Sequence, residues 1–152
     1  MDKIKPSKNE KKNIEKKNNK KYVNVGIEIQ NDRKNKKEFE LRCKEPWFTL
    51  IKSGLKKIDG RVCHGIITEM RKGDVITLIS KRKNNNELKE EKHKVKIHKI
   101  VKYPTFKELL FEEKYFKVFP GFPSFKCAKE VYENLYKFPL VKKNGVVAIH
   151  FE

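Results

Sequence analysis

Ser53-Gly54-Leu55-Lys56-Lys57-Ile58-Asp59-Gly60-Arg61 joins the end of a short helix to the strand that follows it. Upstream, Pro46 suits a first helical position, and Trp47, Leu50, Ile51 and Gly54 fall on one face of about two turns, with Gly54 able to end them in a left-handed conformation. Downstream, Lys57 to Val62 reads as a strand. Strand side chains alternate faces, so Lys57, Asp59 and Arg61 share one side while Ile58 and Val62 share the other. Lys56 hangs from the turn just before them. Two lysines, a carboxylate and a planar guanidinium therefore converge. Arg61 can engage a phosphate or a nucleobase edge through two parallel hydrogen bonds, and Asp59 can orient it or accept from a ligand amine. The same spacing also fits an exposed ion-pair ladder, worth ~0 to 1 kcal/mol, on an ordinary strand.

The remaining elements are read outward from this stretch. Phe39, Leu41 and Cys43 alternate with Glu40, Arg42 and Lys44 at the strand period and open the compact domain. Further upstream, Val23, Val25, Ile27 and Ile29 alternate in the same way, an extra strand separated by the polar run Gln30 to Lys37. Downstream, Gly73-Asp74 reads as a turn, Val75 to Ser80 as a buried strand, and Lys83-Asn84-Asn85-Asn86 to Glu91 as a charged loop. His93 to Lys102 forms a strand with Val95, Ile97 and Val101 on one face. Thr105-Phe106-Lys107-Glu108 is a capping box opening a helix that carries Leu109 and Leu110. Ser124 caps a longer helix in which Ala128, Val131, Tyr132, Leu135 and Tyr136 recur at helical spacing, with Pro139 just past its end. Asn144-Gly145 turns the chain into a last alternating strand, Val146 to Phe151. This order suits an α+β fold with an antiparallel or mixed sheet and flanking helices.

Gly54-x-Lys56-x-x-Asp59-x-Arg61 resembles the GxKxxExR signature of the ASCH domain, a member of the PUA-like superfamily. Four further blocks follow the family's order: Pro46 to Gly54, Lys72-Gly73-Asp74-Val75-Ile76, Tyr103 to Leu110 with Pro120-Gly121 and the tyrosines Tyr132 and Tyr136, and Gly145 to Ile149. The resemblance covers roughly Phe39 to Glu152. It implies a small β-barrel with flanking helices and a cleft for RNA or a modified nucleoside lined by the motif residues Lys56, Asp59 and Arg61; Lys57 on the same strand face, and Ser124, Tyr132 and Tyr136, are further ligand-binding candidates. Asp59 departs from the signature, being one methylene shorter than the usual Glu. A bacterial branch of similar fold hydrolyses acylated cytidine with a Lys, a Thr at the acidic position and a later Glu. Lys56 matches that Lys, but Asp59 stands in place of the Thr, and neither Glu108 nor Glu112 is assigned to the Glu. A carboxylate beside Lys56 favours its charged form, so no catalytic residue is assigned, Lys56 being the candidate if the protein is an enzyme. The alternatives to RNA binding are thus a nucleoside- or RNA-directed hydrolase and an adaptor of the transcription-coactivator type.

Charge and composition set the remaining limits. The 152 residues carry 38 basic and 20 acidic side chains, a net charge of +18, and residues 1 to 38 hold 13 and 6 of them. Such an excess attracts polyanions by raising their local concentration. Residues 1–21 are almost wholly Lys, Asn, Glu and Ser, the composition of a basic disordered tail that reads either as a targeting or nucleic-acid-binding arm or as a solvated tract. Residues 22–38 hold the extra strand and polar loop, and residues 39–152 the domain. No run of apolar residues suits a membrane span or a secretory signal, so an intracellular location is expected, nucleus or cytoplasm alike. Cys43, Cys63 and Cys127 lack the spacing of a disulfide framework or a metal knuckle and are read as buried thiols. His64, His93, His98 and His150 are scattered, so neither a metal nor a cofactor is expected. Trp47 is read as core, and Phe48, Tyr103 and Phe122 are weighed as base-stacking aromatics.

Overall fold

The computed structural model describes residues 25–30 and 32–152; the tail, residues 1–21, lies outside the described residues. The elements in chain order are β1 (Ile27–Glu28), β2 (Glu38–Arg42), α1 (Trp47–Lys52), β3 (Ile58–Val62), a 3-10 turn (Gly65–Glu69), β4 (Val75–Asn84), β5 (Glu87–Tyr103), α2 (Phe106–Glu112), α3 (Tyr115–Val118), α4 (Phe125–Leu135), α5 (Phe138–Asn144) and β6 (Val146–Phe151). The six strands form one sheet in the order β2-β4-β5-β6-β3, with β1 added antiparallel to β5. Only β2 and β4 run parallel; the other neighbours are antiparallel.

The expected barrel does not close. Its end strands β2 and β3 share no ladder, so the fold is an open, mixed α+β sheet with helices against it. Alternation along β6 sorts the core: Val146 and Ala148 join Phe106, Leu109, Leu110 and Tyr132 beneath the helices, whereas Val147, Ile149 and Phe151 join Phe48, Ile76, Leu78 and Ile97 on the other face. Trp47 packs against both clusters.

Several local expectations are revised. The charged segment from Lys83 is not a loop: β4 and β5 pair through Asn84 and Glu87, and Asn85 and Asn86 make a two-residue turn. Ser124 caps α4 as expected, its side-chain oxygen accepting the Cys127 N–H at 3.2 Å. At α2 the Thr105 hydroxyl turns instead to the Glu108 carboxylate. Pro139 falls in the first turn of α5, a helix the apolar periodicity did not indicate. Of the strand expected over Val23 to Ile29, residues 22–24 lie outside the described residues, and among the described ones Ile27 and Glu28 pair with β5. Ile27 is 68% exposed, and Ile29 packs on the core and donates its N–H to Ile100 O at 2.9 Å.

The segment before β2 is nevertheless tied to the sheet. The Glu112 carboxylate accepts the N–H groups of Val25 and Gly26 at 2.9 and 3.1 Å. Asp74, fully buried, accepts from Arg33 Nε at 3.2 Å, Lys37 N at 2.9 Å and Arg71 N at 2.9 Å.

Candidate functional site

The open side between β2 and β3 is where the motif lies. Asp59 and Arg61 project from β3, and the strand alternation that places them on one face is the one inferred from sequence. Arg61 Nε donates to Asp59 Oδ2 at 2.8 Å, and Arg61 also donates from Nη2 to the Arg42 carbonyl at 2.9 Å. One guanidinium thus holds a carboxylate on its own strand and reaches the end of β2, across the gap no ladder fills. Burial works against its charge, and Asp59 more than offsets that, keeping Arg61 cationic.

Around this pair lies a cleft of about 410 Å³, lined by Arg42, Cys43, Lys44, Trp47, Asp59, Gly60, Arg61, Ile79, Lys81, Phe119, Tyr132, Leu135 and Tyr136. That volume lies within the ~300–1,000 Å³ range of small-ligand sites. Four cations, Arg42, Lys44, Arg61 and Lys81, face one carboxylate, Asp59. A concave wall carrying such an excess focuses a positive potential.

Its apolar wall is aromatic. Tyr132 stacks on Phe106 at 3.9 Å and 12°, Tyr136 on Phe106 at 5.3 Å, and Phe119 joins Tyr132 to Trp47 at 4.9 and 4.8 Å. Gly60 makes this possible, because a Cβ there would lie 2.3 Å from the Tyr132 oxygen and 2.8 Å from its Cζ. The Gly60 N–H donates to that oxygen at 3.1 Å. Burial raises the pKa of both tyrosines, so both hydroxyls keep their protons. The half-buried Tyr136 hydroxyl has no hydrogen-bond partner among the described residues and is free to meet a ligand.

Lys56 is not where the sequence reading put it. Its side chain is buried, donates to the Val118 carbonyl, and lies over the rings of Phe119 at 4.7 Å and Trp47 at 5.7 Å. It stands behind the aromatic wall and does not line the cleft. Asp59 favours its charged form as expected, but burial is the larger effect and lowers its pKa to about 8. Desolvation outweighs one nearby carboxylate because an ammonium in a pocket of rings loses nearly all its water.

The other candidates divide in the same manner. Asp59, Arg61, Tyr132 and Tyr136 converge on the cleft. Lys57 is exposed and lies elsewhere, its carbonyl accepting the Phe151 N–H, and Ser124 is occupied by its cap. Trp47 is a half-buried lining residue as well as core, whereas Phe48 and Tyr103 are buried away from the cleft and Phe122 packs behind Trp47 at 5.5 Å. Sequence reasoning missed Arg42, Lys44, Lys81 and Phe119. Arg42 and Lys44 lay at the polar positions of a recognised strand pattern and Lys81 just past the strand read to Ser80, and pairing of β2 with a longer β4 is what gathers them. Cys43 lies in the cleft, and its thiol is pushed up to about 12 by burial, so it is protonated and unreactive there. Among the described residues no cluster of His, Cys, Asp and Glu suits a metal, and no helix is long and apolar enough to cross a membrane.

The sequence matches the ASCH domain family over residues 41–152. Among solved structures, the crystal structure of the hypothetical protein PH0355 is 35% identical with a TM-score of 0.64, covering 76% of this chain and 97% of its own. The solution NMR structure of protein PF0455 from Pyrococcus furiosus is 34% identical with a TM-score of 0.59, covering 76% and 96%. Nothing among curated proteins matches the chain. ASCH domains are generally RNA-binding modules of PUA-like fold. With a family match that spans the motif, strands β3 to β6 and the aromatic helices together, this chain belongs to the ASCH domain family.

Proposed function

We propose that the cleft binds RNA, taking an unpaired or modified base between the Asp59–Arg61 pair and the aromatic wall. The observation that carries this reading is the Arg61 fork held by Asp59 at 2.8 Å within a cation-rich, aromatic-lined cleft. Arg61 presents donors in a fixed plane, Asp59 selects a ligand with a donor, and Trp47 and Tyr136 offer ring surface. Phosphates are drawn by Arg42, Lys44 and Lys81. The +18 charge of the chain adds sequence-blind attraction.

The hydrolase alternative has less support. A Lys with a pKa lowered to about 8 is chemically suited to lose its proton near neutrality, yet its amine is bonded to the Val118 carbonyl and does not line the cleft.

The test separates cleft from tail. Arg61→Ala, shown to be folded, and a protein lacking residues 1–21 are titrated against a panel of single-stranded and modified RNA oligonucleotides at several salt concentrations. Arg61→Ala is expected to erase discrimination within the panel with little change in salt slope, and the tail deletion to do the reverse. A folded Arg61→Ala protein that ranks and binds the whole panel as the parent does overturns the reading.

A further inference from the structure

The cleft has an extension. Past Ile79 and Lys81, which line it, β4 runs on with β5 as a two-stranded ribbon closed by Asn85 and Asn86 at φ of 51° and 64°. Two successive positive φ values make a tight turn whose twist matches that of the strands, so the ribbon has a fixed length and register.

The register sorts its charges. Ile79, Lys81 and Lys83 lie opposite Lys92, Glu90 and Leu88, on the side of the sheet that carries the cleft. Ser80, Arg82 and Asn84 lie opposite Glu91, Lys89 and Glu87, on the other side. The cleft side thus bears three lysines to one carboxylate; the far side bears two cations to two. On the far side, moreover, Glu91 takes both Arg82, at 3.1 Å, and Lys52 of α1. On the cleft side, Glu90 approaches Lys92 at 3.6 Å, and Lys81 and Lys83 have no carboxylate partner among the described residues. Leu88, 65% exposed, adds an apolar spot to the same face.

We propose that the cleft-side face of this ribbon is a phosphate track: when a base of an RNA strand occupies the cleft, the neighbouring phosphates run outward along Lys81, Lys83 and Lys92. The inference rests on the RNA reading of the cleft and adds where the strand leaves it. Lysines are mobile point charges that select charge rather than shape. Repeated charge at the exit of a base-binding cleft is what a nucleic-acid backbone supplies, and Leu88 is positioned to meet the face of a following base.

Two double variants that each remove two positive charges from the same ribbon test the idea. Lys83→Gln/Lys92→Gln alters the cleft side without touching a cleft-lining residue; Arg82→Gln/Lys89→Gln alters the far side. Parent, both doubles and Arg61→Ala are titrated with the four nucleoside monophosphates by NMR and with a mixed-sequence 12-nucleotide RNA at several salt concentrations. Lys83→Gln/Lys92→Gln is expected to bind mononucleotides as the parent does, while its salt slope on the 12-mer falls by about 1.4, at ~0.7 per phosphate contact on single strands. Arg82→Gln/Lys89→Gln is expected to lose less than half of that. Equal slopes for the two doubles overturn the track and leave the cleft reading standing. A folded Arg61→Ala protein that binds both ligands as the parent does overturns the cleft reading, and the track with it.

Discussion

Gly60→Ala adds one methyl group at the most crowded point of the site. Its Cβ would stand 2.3 Å from the Tyr132 oxygen, 2.8 Å from Cζ and 3.4 Å from Phe106 Cε1. Tyr132 is buried between Phe106 and Phe119 and has no free direction in which to yield without opening one of those contacts. Overpacking of this kind costs ~1–3 kcal/mol. Withdrawal of the tyrosine also breaks the bond from the Gly60 N–H, worth about 1 kcal/mol, and weakens a stacked pair worth ~0.5–1.5 kcal/mol. Because these losses overlap, about 3 kcal/mol is expected, or roughly 10 °C in melting temperature for a domain of this size. Urea unfolding measures the stability, and the same variant, titrated below its transition, should lose RNA affinity because Tyr132 lines the cleft. Tyr132→Phe removes the nearest clashing atom, so Gly60→Ala should cost about 1 kcal/mol less in that background. A Gly60→Ala protein within about 0.5 kcal/mol of the parent refutes the claim that this glycine is a steric requirement of the aromatic wall.

Two more predictions concern the buried charges. The Lys56 pKa of about 8 is below the ordinary value of 10.5, so between these the unfolded chain binds more protons than the folded one and stability rises with pH. The rise should total about 3 kcal/mol, at ~1.4 kcal/mol per pH unit, and should disappear in Lys56→Met; parallel urea curves for the two proteins from pH 7.5 to 9.5 contradict it. Deleting residues 1–38 leaves the buried Asp74 carboxylate with the Arg71 N–H as its remaining donor among the described residues, a loss of ~3–5 kcal/mol by the rule for broken buried pairs. Deleting residues 1–24 touches none of those bonds, so the two truncations should differ by at least that amount in thermal or urea unfolding, since the longer one also removes the Glu112 bonds and β1, with residues 39–152 still adopting the fold; equal stabilities count against the Asp74 account.

Elements whose periodicity and punctuation agree were legible in the sequence. The helix before the motif, β3, β6 and the Ser124-capped helix have apolar spacing, a stop or start residue and a buried face that all point the same way. The ribbon was not, because beyond Ser80 both faces of β4 and β5 are polar and exposed, and alternation disappears when neither face is buried. Helix α5 was hidden for another reason: Phe138, Pro139 and Leu140 are exposed and Val141 is its buried contact, so it presents no stripe. The desolvation of Lys56 was not legible because its charged neighbour, Asp59, is three residues away in sequence while the rings that strip its water come from Trp47 and Phe119. Local sequence displays the near charge and conceals the remote burial.

The failure of the sheet to close and the position of the site are one fact. In a closed barrel β2 and β3 would pair, their backbone groups would satisfy each other, and the side chains between them would turn either inward or out. Here the Arg42 carbonyl at the end of β2 accepts from Arg61 on β3, so a guanidinium stands where a ladder bond would be. That substitution leaves the gap wide enough for a cleft of about 410 Å³ and furnishes it with a cation already oriented on two sides, by Asp59 and by the backbone. Orientation before binding reduces the entropy lost when a ligand is held. It also explains why a Lys at position 61 would not serve: a single ammonium cannot bond Asp59 and Arg42 in a fixed plane while keeping donors aimed into the cleft. Arg61 is therefore both the bridge across the open seam and the group that faces the ligand, which is why a motif that lies on one strand marks a site built from both edges of the sheet.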